Sequence, residues 1–144
     1  MSSSKERVFV TAATGNIGSG VVRGLVKKGI DTTAYVRDLQ KAENLFKDEL
    51  STGHLKFVVG AYDTTDVFSK AIQGHTRLFL LVADHGNKPA SMGQVKGTLS
   101  KIAFEQDVRQ IDDLSSPFVG SYGRVGILGY IRQTAAEEKL WALA

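Results

Sequence analysis

Residues 8–18 read Val8-Phe9-Val10-Thr11-Ala12-Ala13-Thr14-Gly15-Asn16-Ile17-Gly18, and this stretch decides the fold. Val8, Phe9 and Val10 are a short apolar run with the look of a buried strand. From Ile17 onward Val21, Val22, Leu25 and Val26 recur at helical spacing, and Gly29 stops the helix. The turn between strand and helix carries Gly15 and Gly18. A diphosphate needs backbone N–H groups at a helix N-terminus and no side chain in its way. Gly15 allows that approach, and Gly18 lets the helix pack closely on the sheet. Thr11, Ala12, Thr14, Gly15, Asn16, Ile17 and Gly18 are therefore the candidate contacts to a dinucleotide diphosphate. Ala12 stands where the full glycine pattern has its first glycine. Alanine serves there only if its φ stays negative, and otherwise it strains the turn. The competing reading is a tight turn that binds nothing.

Outward from this turn, strand-like and helix-like stretches alternate. Thr32–Val36, Leu55–Val59 and Leu78–Val82 read as strands, the last a continuous apolar run suited to a central parallel strand. Leu39, Ala42, Leu45 and Phe46 predict a helix ending near Gly53. Val67, Phe68, Ala71 and Ile72 predict one closed by Gly74, and Met92, Val95, Leu99, Ile102 and Ala103 another. Arg109–Leu114 is a fifth strand, residues 117–129 a Gly-rich loop, and Thr134–Ala144 a last helix with Ala136, Leu140 and Leu143 on one face. Strict alternation with short links predicts an α/β fold: a doubly wound, Rossmann-like parallel sheet of five strands in the order 3-2-1-4-5. Residues 1–144 are expected to form a single domain, with 1–5 disordered.

The end of the second strand reads the adenosine ribose in such folds. It runs Tyr35-Val36-Arg37-Asp38 here, with Lys41 a helical turn further on. An acid favours NAD, whereas the guanidinium fork of Arg37, with Lys41, makes a clamp for a 2′-phosphate. NADP (as NADPH) is expected over NAD, with Asp38 as the counter-signal and solvated helix-start charges as the plain alternative. Gly60-Ala61-Tyr62-Asp63 would border the adenine, with Asp63 capping the next helix. Val82 and Ala83, at the end of the fourth strand, would flank the central part of the cofactor.

Composition removes other classes. The chain has no cysteine, so disulfides, thiolate metal sites and cysteine nucleophiles are out. Its net charge of +3 gives no case for nucleic acid, and no apolar run is long enough to span a membrane. A cytoplasmic protein acting on a small molecule is expected. His54, His75 and His85 lack metal-ligand spacing, so no metal site is expected.

Together these residues give a specific likeness. Residues 8–18, Val36-Arg37-Asp38 with Lys41 and Ala42, Leu114-Ser115-Ser116, and Ala135-Ala136-Glu137-Glu138-Lys139-Leu140 resemble the NmrA-like group of atypical short-chain dehydrogenases/reductases. The resemblance covers nearly the whole chain. It implies NAD(P) binding on this fold, with reduction of quinones, carbonyls or enones in some members and cofactor sensing without turnover in others. Members commonly run longer, and set against them the 144 residues are expected to lack the C-terminal substrate-binding part. The superfamily's catalytic Tyr-x-x-x-Lys is absent: Tyr122 is followed four places on by Gly126 and Tyr130 by Thr134, while Lys139 is preceded by Ala135. Tyr122 is the best candidate proton donor, and Ser115 and Ser116 are candidates to position a substrate.

The fifth strand is odd for burial on both faces, because Asp112 and Asp113 alternate to opposite sides. Charges on an edge strand discourage aggregation, which is the favoured reading; a polar site or subunit contact is the alternative. An open edge, with Leu140, Trp141 and Leu143 beyond it, also suggests a homodimer. Three functions stay open: an NADPH-dependent reductase, a non-catalytic NADP-binding sensor or interaction module, and a scaffold that has lost the cofactor.

Overall fold

The computed structural model describes residues 5–82 and 89–113, with only the backbone considered at 89–93. Five parallel strands alternate with helices: β1 (Arg7–Val10), α1 (Asn16–Lys27), β2 (Asp31–Val36), α2 (Leu39–Leu45), α3 (Lys47–Leu50), β3 (Leu55–Val59), α4 (Thr65–Ile72), β4 (Arg77–Leu80), α5 (Pro89–Glu105) and β5 (Gln110–Asp113). The strand order is β3-β2-β1-β4-β5, every neighbouring pair parallel. The expected doubly wound sheet is therefore present. The last helix expected, Thr134–Ala144, lies outside the described residues, as do residues 1–4 of the expected disordered start. Lys5 is described, and its Nζ is held 3.1 Å from Asp31 Oδ2.

Strand periodicity divides the core into two layers. On one face Val8, Val10, Ala34 and Val36 pack with Val22 and Val26 of α1, and with Ala42 of α2 and the adjoining Phe46. On the other, Phe9, Tyr35, Leu78 and Leu80 pack with Phe68 and Ile72 of α4 and Leu99 and Ala103 of α5. Phe9 sits at the centre of an aromatic cluster, with ring centroids 5.3 Å from Phe68 and 5.2 Å from His75, both edge-on. The single helix expected up to Gly53 is broken. α2 stops at Leu45, and Phe46, fully buried with φ −113° and ψ 32°, separates it from α3. Its ring lies 6.0 Å from that of Phe57 and under the Arg23 guanidinium at 5.5 Å. Burying this ring wins over continuing the helix.

Among the described residues β5 is the outermost strand, with its two aspartates facing opposite ways. Asp112 is exposed and accepts from Gln110 Nε2 at 2.9 Å. Asp113 faces α5, where its carboxylate meets the Lys96 ammonium at 2.6 Å; Lys96 is only 2% exposed. The buried carboxylate that looked costly in the sequence is thus paired with a lysine from the middle of α5.

His75 is the other buried polar group of note. Its Nδ1 donates to the Ile72 carbonyl at 3.1 Å, which leaves Nε2 to accept from the Thr33 hydroxyl at 2.7 Å. Burial pushes its pKa down, and the nearby Arg7 and Lys56 charges add to this.

Both buried groups can be tested by stability. The unfolded chain binds a proton at His75 more readily than the fold does. The contribution of the neutral ring is therefore complete above the ordinary histidine value of about 6.5 and is lost as pH falls below it. Urea unfolding between about pH 7.5 and pH 5 should show falling stability, and a flatter profile in His75→Gln. Replacing Asp113 with Leu alone should cost about 3 kcal/mol by stranding the lysine, whereas Lys96→Met with Asp113→Leu should recover most of that loss. A double variant no better than the single would contradict this.

Candidate functional site

The residues that meet at the C-terminal end of β1 and β2 form an open groove of about 550 Å³. The glycine turn supplies Ala12, Ala13, Thr14 and Gly15; the end of β2 supplies Tyr35, Val36, Arg37 and Asp38; Lys41 comes from α2, and Gly60, Ala61 and Tyr62 from the loop after β3. Of the expected cofactor contacts, Ala12, Thr14, Gly15, Arg37 and Lys41 are thereby brought together.

The turn has a definite geometry. The Gly15 amide donates to the Ala12 carbonyl at 3.2 Å, and the first helical bond runs from the Ser19 amide to Gly15 O at 2.9 Å. The amides of Asn16, Ile17 and Gly18 precede that bond, so they have no partner within the helix. No side chain caps α1 and no acid lies in its first turn. Its positive end therefore holds no anion of its own, which is the arrangement an external phosphate needs.

Ala12 has φ +49°. The negative φ that would suit an alanine here is thus not adopted. The residue occupies the left-handed region, where a side chain costs about 1 kcal/mol and glycine costs nothing. Gly18 explains why the turn still holds this shape. A Cβ there would collide with the Ala12 carbonyl, so glycine lets α1 seat directly on the end of β1. Gly18 is buried under the turn and acts by packing.

Two expected contacts act elsewhere. Thr11 is fully buried; its hydroxyl donates to the Leu81 carbonyl at 2.7 Å and accepts from the Leu81 amide at 2.9 Å. It clasps β1 to the chain leaving β4 and does not line the groove. Val82 belongs to the apolar layer with Phe9 and Leu80. Asn16 and Ile17 are exposed at the helix start and do not line the groove. Ala83, Ser115, Ser116 and Tyr122 lie outside the described residues.

At the far end of the groove Arg37 and Lys41 are both exposed, and among the described residues neither is paired with a carboxylate. The Asp38 carboxylate is committed to capping α2, accepting from the Lys41 amide at 3.1 Å. The third wall, Gly60 to Tyr62, is the loop expected to border the adenine, but the part that Tyr35 plays in shaping it was not expected. The Tyr35 hydroxyl donates to the Ala61 carbonyl at 2.8 Å and lies 3.0 Å from Thr64 Oγ1, and burial raises its pKa. A Cβ at Gly60 would strike that hydroxyl, so Gly60 is the residue that admits the ring. The helix-capping position belongs to Thr64 and not to Asp63; the Thr64 hydroxyl accepts from the Ala61 amide at 2.8 Å and so shapes the loop. The signal in the sequence was the hydroxyl three residues after Ala61.

A family model for NAD(P)H-binding domains matches residues 12–129. Over 46 residues the chain is 44% identical to an uncharacterized chloroplastic protein of Arabidopsis thaliana, covering 32% of this chain and 16% of that one. Among solved structures, an NmrA mutant has a TM-score of 0.77 at 17% identity, covering 96% of this chain and 42% of that one. The triphenylmethane reductase of Citrobacter sp., complexed with NADP(H), has a TM-score of 0.74 at 22% identity, with 94% and 45% covered. Vestitone reductase from alfalfa (Medicago sativa) has a TM-score of 0.73 at 18% identity, with 96% and 52% covered. These structural likenesses are of fold. The chain spans about half or less of the length of these structures.

The turn geometry makes opposite predictions for neighbouring small residues. Ala12→Gly should raise stability by about 0.5–1 kcal/mol by relieving the left-handed alanine. Gly18→Ala should lower it by about 2 kcal/mol through overpacking against the Ala12 carbonyl. Chemical denaturation of the two variants beside the parent chain measures both, and equal effects of one sign would refute the assigned geometry.

Proposed function

We propose that this chain, which belongs to the family of NAD(P)H-binding domains, binds NADPH in preference to NADH and serves the reduction of a small carbonyl, quinone or enone. The observation that carries the preference is the pair Arg37 and Lys41, exposed on one wall of the groove and without acidic partners among the described residues. The only carboxylate on that wall among the described residues, Asp38, already accepts a backbone bond. A ribose-reading acid would need its oxygens free, whereas two free cations suit a 2′-phosphate.

The residues present fit the cofactor. The uncapped amides of Asn16, Ile17 and Gly18 would hold the diphosphate, Arg37 and Lys41 the 2′-phosphate, and Gly60 to Tyr62 the side of the adenine. When bound, the nicotinamide supplies the hydride. What the protein contributes is placement: a groove that fixes one face of the cofactor and brings a substrate to it. Ser115 and Ser116 follow β5 in sequence after Leu114 and are proposed to orient that substrate, with Tyr122 as proton donor.

A second reading is a cofactor-binding sensor without turnover. The missing Tyr-x-x-x-Lys favours it. Binding and turnover separate the two.

Titration of NADPH and then NADH, followed by cofactor fluorescence, should give micromolar binding of NADPH and weaker binding of NADH. Arg37→Ser with Lys41→Ser should weaken NADPH by about 10–100-fold and leave NADH nearly unchanged. An equal loss for both cofactors would remove the 2′-phosphate assignment. Turnover of any member of a quinone and enone panel under saturating NADPH supports the reductase; binding without turnover supports the sensor.

A further inference from the structure

The end of the sheet away from the groove has a charge pattern that the proposed function does not use. Strand register sets it up. Arg7 pairs with Asp31, and Thr33 with Lys56, across three adjacent strands. Two residues further along the same strands come Phe9, Tyr35 and Val58, which pack in the layer under α4 and α5. Since strand side chains alternate, Arg7, Asp31, Thr33 and Lys56 share that face. The apolar layer therefore gives way at the start of the strands to a polar surface. There Arg7, Asp31, Thr33, His54 and Lys56 line a hollow of about 210 Å³.

The hollow carries surplus positive charge. Its carboxylate, Asp31, is already neutralised: Lys5 Nζ lies 3.1 Å from one oxygen and His54 Nδ1 2.9 Å from the other. Glu6, the neighbouring acid, faces Arg77, Arg109 and the Thr76 hydroxyl instead. Among the described residues no carboxylate pairs with Arg7 or Lys56. The charges of both reach the buried His75 ring, whose pKa is held down first by burial and then by those two cations. Arg7 and Lys56 line one polar hollow whose carboxylate, Asp31, is bonded to Lys5 and His54 and to neither of them, and such a pair of cations is a recognition set for a compact dianion.

We propose that this hollow, at the N-terminal ends of β1, β2 and β3, is a second anion site that takes a phosphate group between Arg7 and Lys56. The ligand is inorganic phosphate or a small phosphomonoester; the volume is too small for a dinucleotide. The site is independent of the nucleotide groove, because it uses the opposite ends of the strands.

Backbone amide NMR on the whole chain tests it, with inorganic phosphate and glycerol 3-phosphate as probes and chloride at matched ionic strength as control. Saturable shifts at Arg7, Thr33 and Lys56, with a millimolar or tighter dissociation constant, are expected. Lys56→Gln, an exposed position, should weaken binding by about 10-fold, and Arg7→Gln with Lys56→Gln should abolish saturation. Tighter binding of the ester than of free phosphate would mark a metabolite as the ligand, and the reverse would mark the free ion. Shifts confined to Asn16–Gly18 would place the anion at α1 and overturn the proposal. So would the absence of saturation up to about 20 mM, or unchanged binding in Lys56→Gln. Failure of NADPH to bind would leave these readouts untouched.

Discussion

The seat of α1 on the end of β1 is the contact from which the rest of the site is built. Helix and strand backbones meet where Gly18 faces the Ala12 carbonyl, and no other side chain would let them come so close. That contact brings the positive end of the helix, with its three amides unbonded within the helix, up to the sheet beside the turn that lines the groove. It also accounts for the left-handed Ala12. The carbonyl must turn toward the helix to accept from Gly15, and the alanine adopts a conformation that suits glycine better. Opposite this seat, the Thr11 hydroxyl bonds both the amide and the carbonyl of Leu81, so β1 and the chain leaving β4 are held together at the mouth of the crevice. Two short contacts thus fix the place where the strand order changes direction, which in open parallel sheets is where ligands bind.

Much of this was legible in the sequence, for reasons of periodicity. Strands buried on both faces need unbroken apolar runs, and the helices beside them need apolar residues at helical spacing; Leu78–Leu80 and Val22 with Val26 satisfy these demands plainly. The position of the turn and the ribose-end cations came from the same alternation. Individual roles were harder to read. Thr11 and Val82 lie within the motif by number, yet a motif does not reveal which side chains face inward. Asp63 and Thr64 are adjacent, both suited to capping, and only the path of the loop decides between them. Lys96 sits among polar residues on a long helix, and nothing local marks it as buried; its burial makes sense only once Asp113 has been placed across from it.

The two faces of the sheet solve their packing differently. The layer under α1 and α2 is aliphatic apart from Phe46, Phe57 and Phe79. The layer under α4 and α5 combines Phe9, Tyr35 and Phe68 with His75, and so admits hydrogen bonds without exposing backbone to water. Tyr35 links this layer to the groove: its ring packs on Phe9 at 5.6 Å, and its hydroxyl holds the loop at Ala61. One side chain thereby serves both the core and the wall of the site, which ties the shape of that wall to the packing beneath it.

The break at Phe46 has a consequence for how the chain tolerates change in length. α2 carries Lys41 and is anchored from both ends, by the Asp38 cap and by the buried Phe46 ring. The segment from Lys47 to Gly53 is a short turn of helix and a connection with no residue fully buried. Leu50 packs on the core and Glu49 bonds Arg23, so residues inserted in the exposed stretch 51–53 would be absorbed between two fixed points, Leu50 and the start of β3, without shifting Arg37 or Lys41. The molecule has, in effect, a splice point on its periphery, where new segments could be grafted while the nucleotide-facing frame stays in place.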